Sequence, residues 1–241
     1  MNPNLTHIEK NLTEKCVKRL FVSVFLLYLH RMTLEEFHNI PFRTQDLATI
    51  YPQNRDLLGV AKRLERAGNI IRLKKGLYVV APHITHTELS DFLIANHLYG
   101  PSYVSAESAL RWYGMIPESV YETISVTSGI ARSYSNKTGT YRYIHAASAY
   151  CAVGITMQQE TNISFLIATP EKALCDKIVF TPYLNLRYRE EILRFLEDDL
   201  RIDMNRFYGL NTELLHQCAK VSRKKIMINQ LITLIENERS I

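Results

Sequence analysis

The segment from Phe42 to Pro82 constrains this chain most, because all of its excess positive charge lies there. It carries eight Lys/Arg (Arg43, Arg55, Lys62, Arg63, Arg66, Arg72, Lys74, Lys75) against three acids (Asp46, Asp56, Glu65), an excess of five that equals the formal net charge of the whole 241 residues. Thr44 before Gln45–Ile50 reads as an N-cap and a short helix, and Pro52 ends it. Residues 55–67 read as a second helix closed by Gly68. At about 100° per residue, Leu57, Val60, Ala61 and Leu64 share one arc, while Arg55, Gly59, Lys62, Arg63 and Arg66 share the opposite one. A glycine in that cationic arc is expected to let a backbone approach closely. Two β runs, 69–73 and 77–81, flank Lys74-Lys75-Gly76, where the glycine supplies the positive φ of a tight hairpin. Helix, turn, basic helix and basic hairpin form the pattern of a winged helix-turn-helix. Helix 55–67 would then enter a major groove, with the Lys74–Gly76 wing on backbone or minor groove. The competing reading is a solvated basic face used only for protein contacts.

The flanking sequence sets the class. Leu5, Ile8, Leu12, Cys16 and Leu20 predict one long helix over 5–31. Its run Leu20–Leu29 is apolar except for Ser23, but ten residues fall short of the ~20 that cross a membrane. Charged residues follow it, not a small-residue cleavage site, which argues against a signal peptide. We expect a buried core helix with apolar surface left for a homodimer. Cys16, Cys151, Cys175 and Cys218 are far apart with no C-x-x-C, as in reduced thiols of a cytoplasmic protein. With 46% hydrophobic and 22% charged residues, a disordered or fibrous chain is disfavoured.

Residues 82–86 read as a linker between residues 1–82 and a second domain, 88–241. The His83/His86 pair in it lacks neighbouring ligands for a metal. Beyond it, helices are expected over 88–98 and 106–113, the latter capped by Ser105. About five mostly antiparallel strands follow, at 120–127, 131–134, 140–145, 153–157 and 163–167. Thr169-Pro170-Glu171 starts a helix running to about Val179, with Thr169 as N-cap and Pro170 at the first helical position. Three further helices are expected at 187–199, 211–221 and 223–237. The fold class is therefore α+β: an N-terminal winged helix, then a mixed domain with C-terminal helices.

Catalytic patterns are scarce. There is no G-x-x-x-x-G-K-[ST], G-x-G-x-x-G, G-x-S-x-G or H-E-x-x-H. Glu107, Glu118, Glu122 and Glu171 are the strongest acid candidates for metal-dependent nuclease chemistry, and nothing in their spacing forces them together. The expectation is no enzyme, no metal and no cofactor. Two other basic groups stand out. Lys220, Arg223, Lys224 and Lys225 either extend the basic surface or form a solvated helix end. Arg132, Lys137, Arg142 and His145 lie on or beside a hairpin, as a basic strand face for nucleic acid or for an acidic protein partner.

Three stretches taken in order resemble the AbiEi-type antitoxins, the transcriptional-regulator half of bacterial type IV toxin–antitoxin systems. They are residues 64–80 (LERAGNIIRLKKGLYVV), 103–110 (YVSAESAL) with 113–118 (YGMIPE), and 168–176 (ATPEKALCD). The match covers about residues 42–180; the two ends of the chain match less clearly. The resemblance implies a winged helix that represses its own operon by binding promoter repeats in double-stranded DNA. It also implies a second domain that counteracts a partner toxin of nucleotidyltransferase fold. Carried onto this chain, the DNA contacts would be Thr44, Arg55, Lys62, Arg63, Arg66, Arg72, Lys74 and Lys75, and no catalytic residue transfers. The motifs at 103–118 and 168–176 would be structural, setting helix starts. The alternative is a protein-interaction module that binds a partner enzyme through residues 88–241 without binding DNA.

Overall fold

The computed structural model describes residues 33–118, 121–160 and 162–240, so the helix expected over 5–31 lies outside the described residues. Residues 33–81 contain a 3-10 turn (Leu34–Phe37), β1 (Phe42–Arg43), a 3-10 helix (Thr44–Thr49), an α-helix (Leu57–Arg66), β2 (Ile70–Lys74) and β3 (Leu77–Val80). The strands form an antiparallel sheet in the order β1-β3-β2. Gly76 turns the hairpin with φ +77°, a conformation costly for any residue with a Cβ. Val60 and Ala61 are the buried face of the helix, as its 3.6-residue periodicity requires.

Period two in the hairpin divides its side chains between two cores. Ile70, Tyr78 and Val80 join Phe42, Leu47, Val60 and Ala61 in a small core. Leu73, Leu77 and Val79 point the other way, into the main core of the rest of the chain. All four residues of β3 are buried, so the hairpin is held from both sides. The expected linker is in part a one-turn helix, Pro82–Thr85, with proline at its start.

The larger part is built on a six-stranded sheet in the order β6-β7-β5-β4-β9-β8. Its strands are β4 (Ser102–Val104), β5 (Glu122–Thr127), β6 (Arg132–Asn136), β7 (Gly139–His145), β8 (Ile155–Glu160) and β9 (Ile163–Ala168). The sheet is more mixed than expected: β5–β7 and β4–β9 are parallel, and the three other pairs are antiparallel. The sequence reading missed β4, because three residues are too few to display an alternation. Helices Asp91–Leu98 and Ala106–Trp112 pack on the sheet, and Pro170–Phe180 packs against Ala106–Trp112. Arg189–Arg194 runs into a π-helical turn (Phe195–Asp199), and Met204–Tyr208, Thr212–Val221 and Lys225–Arg239 complete the chain. Met204–Tyr208 was not expected; Asp203 caps it by accepting from the Asn205 and Arg206 backbone N–H groups. Among the described residues no helix is long and apolar enough to cross a membrane.

Thr169 caps the Pro170–Phe180 helix as expected, accepting from Lys172 N. Ser105 does not cap its helix. Its hydroxyl instead donates to Asp176 Oδ2 at 2.7 Å, inside a wholly buried network. Tyr103 donates to Oδ2 at 3.0 Å and Tyr150 to Oδ1 at 2.6 Å. Lys172, one helical turn before Asp176, places Nζ 3.0 Å from Oδ1 and donates to the Tyr150 carbonyl at 3.0 Å. Burial, and then the Asp176 charge, push both phenols far above their usual range, so they remain protonated donors. Gly154, with φ +69°, lets its strand pass close to this site, since a Cβ there would lie 2.7 Å from Lys172 Cβ. Because removing one partner leaves a bare buried charge, Lys172→Met and Asp176→Leu should each cost about 3–5 kcal/mol. The double variant should lose clearly less than the sum in urea unfolding, and additive losses would exclude a coupled pair.

Candidate nucleic-acid interface

The cationic surface begins at the Leu57–Arg66 helix. Its N-cap is Asp56, whose Oδ1 accepts from Gly59 N at 2.8 Å. Arg55 therefore lies just before the helix and not on its face. A Cβ on Gly59 would overlap the Asp56 carboxylate. The glycine thus serves the helix's own cap. Lys62, Arg63 and Arg66 are exposed on the side opposite Val60 and Ala61, and no ion pair engages them among the described residues. Leu58, one turn before Lys62, is 52% exposed beside them. Sequence reasoning passed over it because leucine is assigned to a core by default. An apolar side chain at that place can contact a thymine methyl.

The remaining expected contacts divide. Lys75 is exposed at the hairpin tip. Thr44 opens its 3-10 helix instead of capping it; Arg43 occupies the cap position, and its N–H donates to Asp46 Oδ2 at 2.6 Å. Thr44 N donates to the Gly76 carbonyl at 3.1 Å, tying the short helix to the hairpin. Arg72 is paired with Glu65 at 2.5 Å, and that hydrogen bond raises its pKa. Lys74 turns inward and donates to the Leu98 carbonyl, with Tyr134 beneath its ammonium at 5.9 Å. Partial burial lowers its pKa, and the charges of Arg43 and Arg132 lower it further. Arg43 and Lys74 both sit opposite Leu77, from β1 and β2, and β6 with Arg132 packs against β2, so the cationic surface continues from the hairpin onto β6. Arg43 entered the sequence reading only as a charge, since it lies outside both the helix arc and the turn.

The other basic groups do not form single faces. Arg132 shares a sheet face with Tyr143, while Arg142 lies on the opposite face and pairs with Glu122 at 2.7 Å. His145 Nδ1 is engaged with the Gly129 carbonyl. Arg223 donates to Val179 O, and Lys224 to Ile178 O and Thr181 O, at 2.8–3.0 Å. These two cations thus satisfy the last carbonyls of the Pro170–Phe180 helix, which fixes them as a helix end.

Three of the four acid candidates do converge, contrary to expectation. Glu107, Glu118 and Glu122 line a cleft of about 580 Å³ with Asp199, over Ile116, Ile124 and Leu200. Each of the three has a cation: Lys177, Arg201 and Arg142 respectively. Glu171 is elsewhere, accepting from Asn211 N at 2.9 Å. Among the described residues no group of three His, Cys, Asp or Glu could hold a metal ion.

Comparison with protein-family models gave no match, and comparison with curated proteins gave none.

The Asp56–Gly59 geometry is testable. Gly59→Ala should change stability little in the native background, because loss of the cap (about 1 kcal/mol) opposes a similar gain in helix propensity. In an Asp56→Ala background, with no cap left to lose, the same substitution should stabilise by about 0.5–1 kcal/mol in urea unfolding. Equal effects in both backgrounds would sever the glycine from the cap.

Proposed function

We propose that the chain is a non-catalytic DNA-binding repressor and antitoxin, with residues 42–82 acting as a winged helix-turn-helix. The observation that carries this reading is the exposed face of Lys62, Arg63 and Arg66, opposite the buried Val60 and Ala61. Arginine on such a helix reads guanine edges bidentately, while lysine and hairpin cations hold phosphate. Lys75, Arg43 and Arg132 supply that second kind of contact, and Arg55 adds a cation at the helix start. Lys74 contributes mainly by shaping the hairpin, because its charged end is turned into the protein, and Arg72, on the surface, has its charge shared with Glu65. The target is the promoter region of the protein's own operon.

The antitoxin half of the proposal rests on the resemblance carried by residues 103–118 and 168–176. Tyr103, Ser105, Lys172 and Asp176 of those two stretches share the one buried network, so the motifs act as a single structural unit. The partner proposed for residues 88–241 is a toxin of nucleotidyltransferase fold.

The deciding experiment is an electrophoretic shift with DNA from upstream of the protein's own gene, against scrambled competitor, at two salt concentrations. A specific complex that weakens with salt is expected. Arg63→Ala should cost about 1–3 kcal/mol and relax sequence preference, whereas Lys75→Ala should weaken all sequences alike and lower the salt slope by about one. Arg72→Ala should change affinity less than either. No specific binding would remove the repressor reading and favour a protein-interaction module built on residues 88–241.

A further inference from the structure

The two outer strands of the six-stranded sheet are unlike. β6 lies against β2 of the hairpin and carries Arg132, with Lys137 just beyond it. β8, at the far edge, reads Ile155-Thr-Met-Gln-Gln-Glu160 and pairs only with β9 among the described residues. It keeps regular one-to-one register with β9 along all six residues and contains no proline and no lysine. These are the devices by which sheet edges usually avoid pairing, and here they are missing. Ile155, Met157 and Gln159 are exposed on one face, together with Leu166 of β9, and Met157 is 67% exposed.

We propose that β8 of one copy pairs antiparallel with β8 of a second copy, joining two sheets across a two-fold axis at Met157. The sequence is self-complementary in that register. A two-fold axis normal to the sheet must keep each face on its own side, so paired residue numbers sum to an even value. Centring on Met157 sets Ile155 against Gln159 of the second copy and Thr156 against its Gln158, so β-branched side chains meet amides with no charge between them. Glu160, the only charge on the strand, faces the second copy's Gly154, so like charges never oppose. Because Met157 is in register with Leu166 within each copy, the joint forms a continuous apolar row: Leu166, Met157, then the second copy's Met157 and Leu166. A six-residue ladder is only about 20 Å long. The interface is therefore small beside the ~1,600 Å² of a standard one, and association is concentration-dependent.

Sedimentation velocity on the full chain, over about a hundredfold range of concentration, tests this. A monomer–dimer equilibrium is expected. Met157→Lys, which sets two ammonium groups against each other at the axis, should weaken it by at least about tenfold while leaving the unfolding midpoint unchanged at the lowest concentration, where both proteins are monomeric. In a second experiment, Met157→Cys should give a covalent dimer under a mild added oxidant beyond the wild-type background, and Gln159→Cys should give less, because only residue 157 meets itself. A monomer at every concentration, or a dimer indifferent to Met157→Lys, overturns the proposal.

Discussion

The Lys172–Asp176 pair is the interaction on which the larger half of the structure depends. Both charges are fully buried, a placement that costs several kcal/mol per ion unless each is paired and its remaining hydrogen-bonding capacity is used. The fold meets that condition by converging four segments on one carboxylate. Tyr103 comes from β4, Ser105 from the start of the Ala106–Trp112 helix, Tyr150 from the Ser148–Cys151 turn, and Lys172 from the same helix as Asp176. None of these hydroxyls can leave without stranding an acceptor, so strand, turn and helices are positioned together. The same helix is held at its other end by Arg223 and Lys224 on its terminal carbonyls. The C-terminal cations thus belong to the same construction.

A second constraint joins this half to the basic segment. β3 is buried on both faces, giving Tyr78 and Val80 to the small core and Leu77 and Val79 to the large one. Lys74 reinforces the junction through the Leu98 carbonyl, and Asn136 does so by donating to the Leu73 carbonyl at 3.1 Å. The hairpin is therefore a shared wall, and its tip is carried at a fixed angle to β6. This explains why two of the eight expected nucleic-acid contacts are spent internally. A hairpin that packs on both sides leaves Lys75 at its turn and the outer side of Arg72, paired with Glu65, facing solvent.

Much of the secondary structure was legible because it is encoded locally. Val60 and Ala61 follow helical periodicity, Lys74-Lys75-Gly76 is hairpin chemistry, and Thr169-Pro170 starts a helix in its own sequence. What stayed hidden depended on distant partners. Ser105 has the residue type and position of a cap, but a carboxylate 71 residues away takes its hydroxyl. Glu107, Glu118 and Glu122 share a cleft only because Ala106–Trp112 packs beside β5. In the cationic surface, Lys62, Arg63 and Arg66 were readable from helix geometry, whereas Arg43 and Arg132 join Lys74 through the pairing of β1 and β2 with β3 and the packing of β6 on β2. Gly59 shows the limit from the other side: its place in the cationic arc was visible, but its reason is the carboxylate one turn earlier.

The sheet order gives these surfaces a common geometry. Five strand spacings of about 4.8 Å separate the two edges, so β8 lies about 24 Å from β6 along the sheet. At physiological ionic strength that is about three Debye lengths, and the charge at one edge is screened almost completely at the other. Pairing at β8 would therefore leave the field at Arg132 on β6 unchanged. Coupling between β8 and the hairpin must therefore pass through packing, and a short packed route runs from β9 through the Asp91–Leu98 helix to β2: Asn96 is hydrogen-bonded in both directions to the Leu166 backbone, and Lys74 of the hairpin donates to the Leu98 carbonyl.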